Sequence, residues 1–199
     1  MLQTLLRIYP PGSILASDDR AWTTILLADY NDQVLTHASV PNLLLTFATA
    51  RATLPISVEG SSRMVELGEL EIDEDLLNDF KSWLKQAKIR IIGVSGAWSP
   101  EFSKVVTDYL VHDDTLILAS ETIYQPDSMG QFTDVLLDLI RSAKTQYQAL
   151  VAAKKVYFGV GGGVDEFADC LKARNASARP IWDSGGSGVG RVIMQVEID

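Results

Sequence analysis

The stretch Thr115–Tyr124, TLILASETIY, decides the fold, because a short apolar run leads directly into a polar string. The first five residues, TLILA, are typical of a strand that is buried on both faces. The next five, SETIY, place a carboxylate and a phenol three positions apart where that strand ends. In an open α/β sheet, ligands bind beyond the carboxyl ends of the strands. This stretch therefore predicts a ligand-binding edge, provided that the chain alternates strands and helices.

The remainder of the chain shows that alternation. Strands are predicted at Trp22–Ala28, Ile89–Val94, Thr115–Ala119, within Ala149–Phe158, at Pro180–Trp182 and at Arg191–Ile198. Helices are predicted over Asn31–Ala50 with a break near Pro41, from a cap at Asp73 to Ala87, after Ser99–Pro100, over Met129–Ala143 and over Val164–Ala173, with a loop or hairpin at Glu59–Leu70. This order predicts an α/β fold with a doubly wound, mostly parallel sheet. The last strand is predicted to be antiparallel, since only a short turn precedes it.

Composition limits the classes of function. The 199 residues predict one domain, and 47% hydrophobic with 22% charged residues fits a globular chain with a sizeable core. No apolar run reaches the roughly 18 residues of a membrane span, and the N-terminus is a poor signal peptide. The single cysteine fits a reducing compartment. A net charge of −9 disfavours nucleic-acid binding and suits a basic protein partner, although simple solubility explains most of these charges.

Three strand ends carry candidate chemistry. Asp29 and Asn31 follow the first strand, where an acid commonly binds ribose hydroxyls; capping of the next helix is an equally good interpretation. Glu121 and Tyr124 follow the TLILA strand, and they form either a ligand site or a cap with Tyr124 packed on the sheet. The segment Tyr157–Gly163, YFGVGGG, is here called the glycine loop. Its glycines allow positive φ angles and close backbone approach.

The glycine loop does not match a phosphate-binding motif. Val164 stands where GxGxxG requires its last glycine, and no Lys-Ser/Thr pair follows. A tight loop over a substrate cleft is favoured over a plain turn. His37 and His112 are far apart and, with one cysteine, predict no metal site.

Four strings in this order, LADYN, SGAW followed by SPEF, ILASETIY and KKVYFGVGGGVDEF, resemble the protein-histidine methyltransferases that modify a large-subunit ribosomal protein. The resemblance runs from about Ile25 to the C-terminus, and SETIY and YFGVGGGV are its most specific elements. SETIY also resembles an acid-x-x-aromatic motif of the wider seven-strand protein methyltransferases, many of which modify lysine.

The resemblance implies a Rossmann-like seven-strand fold, S-adenosylmethionine as cofactor, and a histidine imidazole of a basic, ribosomal protein as methyl acceptor, in the cytoplasm or nucleus. It implies cofactor-binding residues Asp29, Asn31, Ser95, Gly96, Trp98 and Ser120, with the first two at the ribose and Ser95, Gly96 and Trp98 at the adenine. It implies methyl transfer at Glu121 and Tyr124, and a substrate cleft at Tyr157, Gly159, Gly161, Gly162 and Gly163. A core role for the Trp98 indole is an equally good interpretation.

The chain departs from the family in one respect. Family members have a glycine-rich loop after a first strand, about 20 residues before the ribose acid. Here residues 7–20 read RIYPPGSILASDDR, with one glycine. We therefore expect that the first strand and its loop lie upstream of Met1 and that residues 1–199 are the C-terminal portion of the methyltransferase domain. We also expect weak or absent cofactor affinity. Lysine methylation and a binding module without catalysis are the alternative functions.

Overall fold

A computed structural model describes residues 3, 6, 7, 21–53, 70–110, 114–185 and 190–199. The chain forms two compact units, Met1–Gly96 and Ala97–Asp199. The single domain over residues 1–199 stays a prediction. Apart from Leu70, the loop or hairpin predicted at Glu59–Leu70 lies outside the described residues.

In its described residues from 21 onwards, the first unit contains a parallel strand pair and two helices. Strand β1 (Thr23–Asp29) lies beside β2 (Ile89–Ser95), in a register that joins Thr23 to Ile89 and Asp29 to Ser95. Helix α1 runs through Asp32–Val34, Leu35–Ser39 and Val40–Thr53, and α2 is Glu74–Gln86. As predicted, Asp73 caps α2: its Oδ1 accepts a hydrogen bond from the Leu76 N–H at 2.7 Å.

An aromatic cluster forms the core of this unit. The Phe47 ring from α1 lies 5.2 Å from Phe80 and 5.5 Å from Trp83, both on α2. All three side chains are buried, together with Ile25 and Leu44. Tilted ring pairs at these distances contribute about 0.5–1.5 kcal/mol each beyond the burial of their surface. The cluster thus holds α1 and α2 together.

The predicted break near Pro41 is wrong, because the chain stays helical from Asp32 to Thr53. The segment Leu35–Ser39 is instead a π-helical turn, in which the Val40 N–H donates to the Leu35 carbonyl. A proline has no N–H, and its ring crowds the carbonyl four residues earlier. The wider turn directly ahead of Pro41 accommodates that ring without ending the helix.

The second unit contains the remaining strands, β3 (Thr115–Ser120), β4 (Tyr147–Lys154), β5 (Ala176–Asp183) and β6 (Arg191–Ile198). Its helices are α3 (Pro100–Tyr109), α4 (Pro126–Ser142) and α5 (Val164–Lys172). The strands lie in the order β3-β4-β6-β5. Strands β3 and β4 are parallel, and β6 is antiparallel to both of its neighbours. The α/β class and the antiparallel last strand are therefore confirmed.

The core of the second unit lies between the sheet and two helices. Its fully buried residues include Leu137 on α4, Val151 on β4, Phe167 on α5 and Val196 on β6. Helix α3 is capped as predicted, with the Phe102 N–H donating to Ser99 Oγ at 3.2 Å. None of the helices in the described ranges is long and apolar enough to cross a membrane.

One arginine ties α4 to the end of α5. Arg174 Nε donates to Asp134 Oδ1 at 2.6 Å and Nη2 donates to Oδ2 at 3.1 Å, a two-pronged pair with defined geometry. Nη1 also donates to the Cys170 carbonyl at 3.0 Å. The hydrogen bond from Arg174 holds the pKa of the Asp134 carboxyl below its ordinary 3.8. The pair therefore stabilises the folded state at neutral pH.

We predict that Asp134→Asn lowers the free energy of unfolding by about 0.5–1 kcal/mol at neutral pH, because the pair is partly exposed. A carboxyl whose pKa is lowered by folding stabilises above its ordinary value of 3.8. That contribution is lost as the pH falls through the lowered pKa. The unfolding free energies of the wild-type chain and the variant therefore converge in acid. Urea unfolding over a descending pH series measures this difference. Asp138→Asn on the same helix, 3.9 Å from Arg141, is the control and should have a smaller effect.

Candidate functional site

In the first unit, the ends of the two parallel strands bring three of the predicted cofactor residues together. Asp29 and Ser95 are register partners at the carboxyl ends of β1 and β2. The Gly96 N–H donates to the Asp29 carbonyl at 3.1 Å, and Gly96 has a φ of 153°. This is the edge at which open α/β sheets bind ligands.

Asn31 has the capping role that the sequence left open, and Asp29 holds the turn directly ahead of it. Asp29 Oδ1 accepts from the Asn31 N–H at 2.8 Å, and Asn31 Oδ1 accepts from the Gln33 N–H at 2.9 Å as the cap of α1. The first of these bonds is made by Oδ1 of Asp29. Capping is thus observed, while ribose binding stays a prediction.

In the second unit, Glu121 follows the last residue of β3 and has an unusual backbone conformation. Its φ is 56°, in the left-handed region that residues with a side chain rarely adopt. Its N–H donates to the Ala152 carbonyl of β4 at 3.0 Å. Its Oε1 accepts from Arg191 Nη1, on β6, at 3.3 Å. Two strands thus fix the backbone and the carboxylate of Glu121.

Tyr157 lies beside this carboxylate and is buried. Its phenol oxygen accepts from the Lys154 N–H at 3.1 Å, and its ring lies 6.2 Å from that of Tyr124. Burial raises the pKa of the Tyr157 phenol above its ordinary 10.0, and the charge and hydrogen bonding of Glu121 raise it further. Tyr157 is therefore neutral at physiological pH.

The glycine loop packs directly against the SETIY segment. A Cβ on Gly162 would lie 2.4 Å from both the backbone carbon and the carbonyl oxygen of Tyr124. Gly159 and Gly161 have φ angles of 79° and 87°, which are easily reached only by glycine. The structure therefore brings together the two strings that were most specific in the sequence. The glycines serve close backbone packing and turning.

The remaining predicted residues occupy different settings. Ser120, the last residue of β3, is exposed. Trp98 is half-buried and packs edge-on against Phe102 at 5.0 Å and Phe132 at 5.8 Å. The core role of Trp98 is thus observed, and its contact with adenine stays a prediction. His37 is exposed in the π-helical turn, whereas His112 lies outside the described residues.

Arg191 and Lys154 were not predicted from the sequence, although both contribute to this arrangement. They are register partners on β6 and β4. The Lys154 ammonium lies 5.5 Å from the centre of the Tyr157 ring. The position of Arg191 at the start of the last strand was a usable signal, but only with the strand order known. Among the described residues, no group of three or more His, Cys, Asp or Glu side chains is placed to hold a metal ion.

The fold and these strand ends define an α/β protein with candidate ligand groups at the carboxyl edges of its parallel strands. No protein-family model matches the chain. It is 30% identical to Histidine protein methyltransferase 1 of Saccharomyces cerevisiae over 205 residues, 94% of this chain and 52% of that protein. It is 33% identical to the Schizosaccharomyces pombe protein of the same name over 150 residues, 75% of this chain and 41% of that protein.

A bovine protein named Histidine protein methyltransferase 1 homolog is 30% identical over 171 residues, 84% of this chain and 40% of its own length. The chain thus spans about half, or less, of the length of these relatives. Its structure is weakly similar to that of LepI complexed with SAM, with a TM-score of 0.42 and 10% identity over 98% of this chain and 39% of that one. The relatives confirm the resemblance: the chain is a homologue of the histidine protein methyltransferases.

We predict that Gly162→Ala displaces the SETIY segment, because the added methyl group would overlap the Tyr124 backbone. The expected loss of unfolding free energy is about 1–3 kcal/mol, as for other overpacked sites. Thermal unfolding measures it, together with near-UV circular dichroism of the tyrosines. Gly130→Ala, inside α4, is the matched control, because its new methyl group would lie at an ordinary contact distance of 3.4 Å from Arg174 Nη2. It should be neutral or slightly stabilising. Equal stability of the two variants would contradict the close packing.

Proposed function

We propose that this chain belongs to an enzyme that transfers a methyl group from S-adenosylmethionine to a histidine imidazole of a protein. The observation that carries the proposal is the 30% identity to Histidine protein methyltransferase 1 over 94% of the chain. The clustering of Glu121, Tyr124 and Tyr157 at one sheet edge supports it.

The proposed cofactor residues of the first unit suit a nucleoside. Asp29 offers a carboxylate oxygen to the ribose hydroxyls, and neighbouring Ser95 offers a hydroxyl at the same edge. Gly96 has a positive φ and no side chain, which permits close approach of a planar group to the backbone. When bound, S-adenosylmethionine supplies an electrophilic methyl group. We propose that Asn31 and Ser120 also contact the cofactor, and that Trp98 contacts adenine.

The proposed methyl-transfer residues of the second unit suit an imidazole acceptor. A free imidazole has a pKa of about 6.5, so one ring nitrogen is unprotonated at neutral pH and needs no strong base. Glu121 accepts a hydrogen bond from the other ring N–H, which fixes the tautomer and offsets the positive charge of the methylated ring. Arg191 and Tyr157 restrain the carboxylate from two sides. Tyr124 orients the ring, and orientation alone contributes several kcal/mol to such displacements.

The proposed substrate is a basic protein, and we propose a large-subunit ribosomal protein in the cytoplasm or nucleus. The support for a basic partner is the net charge of −9. Methylation of isolated large ribosomal subunits, compared with that of total protein from the same cells, tests the proposal. Preferential labelling of non-ribosomal proteins would contradict it.

We predict that Asp29→Asn weakens binding of S-adenosylhomocysteine about tenfold or more, because the ribose hydroxyls lose a charged acceptor. Asparagine retains an Oδ1 for the Asn31 N–H, so the turn and the melting temperature should be unchanged. Calorimetric titration measures the affinity. Unchanged affinity would leave Asp29 with a role in the turn only, and failure of the wild-type chain to bind would contradict cofactor binding by this chain.

We predict that Glu121→Gln lowers kcat about 100-fold, since the lost charge acts on the reacting ring. Arg191→Met should lower kcat about tenfold, with partial recovery in Arg191→Lys and little change in the cofactor KM. Arg179→Met is the control, because Arg179 forms a similar pair with Glu197 in the same sheet, 3.5 Å away.

The measurement is mass-spectrometric methylation of matched peptides with one histidine or one lysine. Histidine methylation should persist near pH 7, where a lysine amine is almost fully protonated. Selective lysine methylation, with activity rising towards alkaline pH, would contradict the proposed acceptor.

A further inference from the structure

The glycine loop presents a large apolar side chain to solvent. Phe158 is 81% exposed, although Tyr157 next to it is buried. Val160 in the loop and Val156 directly before it are each about half exposed. Single exposed apolar residues are ordinary, but a local concentration on one tightly folded loop marks an interaction surface.

This surface is continuous with the candidate methyl-transfer residues. Gly162, at the far end of the loop, is seated on the Tyr124 backbone. At the near end, Tyr157 lies beside Glu121 and Tyr124. We therefore expect a polypeptide whose side chain reaches Glu121 to contact the exposed residues of the loop as well.

Acidic side chains flank the same loop from two helices. Asp127 lies in the first turn of α4, next to Pro126, whose Cγ lies 3.7 Å from the Cβ position of Gly161. Asp165 and Glu166 lie in the first turn of α5. A Glu166 carboxylate oxygen lies 3.2 Å from the Cβ position of Gly163.

These acids are not compensated by neighbouring cations. In the part of the chain that the structure describes, none of Asp127, Asp165 and Glu166 forms an ion pair. The nearby cations are engaged elsewhere: Lys155 pairs with Asp183, and Arg191 pairs with Glu121. Lys154 lies against the Tyr157 ring. The loop thus combines exposed apolar surface with net negative charge at its flanks.

We propose that the glycine loop and its acidic flanks form the docking surface for an extended segment of the protein substrate, in which basic and apolar residues flank the target histidine. The proposal rests on the proposed function and adds the chemistry of the substrate around the methylated residue. Phe158, Val160 and Val156 bury the apolar neighbour. Asp127, Asp165 and Glu166 attract the basic neighbours, which also speeds encounter.

The probe is a set of four labelled peptides of one length, each with a single central histidine. On either side of the histidine, each peptide has one charged residue type, lysine or glutamate, and one uncharged type, leucine or serine. The four peptides cover the four combinations. Fluorescence anisotropy with the whole chain measures each dissociation constant. The lysine–leucine peptide should bind tightest, with about tenfold preferences for leucine over serine and for lysine over glutamate. The lysine preference should decrease as salt is added.

Variants separate the two contributions. Phe158→Ser should remove the leucine preference and leave the lysine preference intact. Asp165→Asn combined with Glu166→Gln should remove the lysine preference and leave the leucine preference intact. Tyr109→Ser on α3, a partly exposed aromatic residue outside the loop, is the control and should leave both preferences unchanged.

Absence of either preference in the wild-type chain, or preferences that survive both sets of changes, would overturn the docking surface. The binding measurement does not depend on methyl transfer, so the two proposals fail differently. Equal methylation of all four peptides would overturn the docking surface alone. If the peptides bind with the expected order of affinities but no histidine is methylated, the proposed function is overturned and a peptide-binding surface remains.

Discussion

The arrangement of the second unit depends on the contact between Gly162 and the Tyr124 backbone. A methyl group at Gly162 would lie 2.4 Å from backbone atoms, so these two segments approach more closely than any side chain permits. Tyr157, the first residue of the same loop, is buried and lies beside Glu121. A chain segment distant in sequence therefore shapes the surroundings of the candidate carboxylate.

Much of the fold could be predicted because its signals are local. Asp73 and Ser99 cap helices as their sequence context indicates, since a short polar side chain ahead of a periodic apolar run serves the free N–H groups. The strand ends at Asp29 and Glu121 could also be located, because a change from apolar to polar residues marks where each strand stops. The predicted burial of β3 on both faces is wrong, since Leu116 and Leu118 are each about half exposed. Which chemical role each acid has could not be decided in this way, since capping and ligand binding require the same residue type.

The rest depends on pairing between distant segments, which no local pattern encodes. Arg191 reaches Glu121 only because β6 pairs with β4 in a register that places Arg191 beside Lys154. A shift of that register by one residue would turn Arg191 to the opposite face of the sheet. The left-handed backbone of Glu121 has the same origin, since its N–H is bound by Ala152 of the neighbouring strand. At Pro41 the predicted helix break was wrong, because a π-helical turn accommodates the proline ring within the helix.

The π-helical turn in α1 affects how the sequence of this helix aligns with the sequences of homologous helices. A π-helical turn contains one residue more than the α-helical turn it replaces. Each residue of a regular helix turns the chain by about 100° around the helix axis. The segment Leu35–Ser39 thus holds one inserted residue. The insertion changes the angle around the helix axis between the cap at Asn31 and the apolar face that carries Leu44 and Phe47. In a homologue with a regular helix here, the two sequences would align only with a one-residue gap inside this segment. An ungapped alignment would displace every position on one side of it by about 100° around the helix axis.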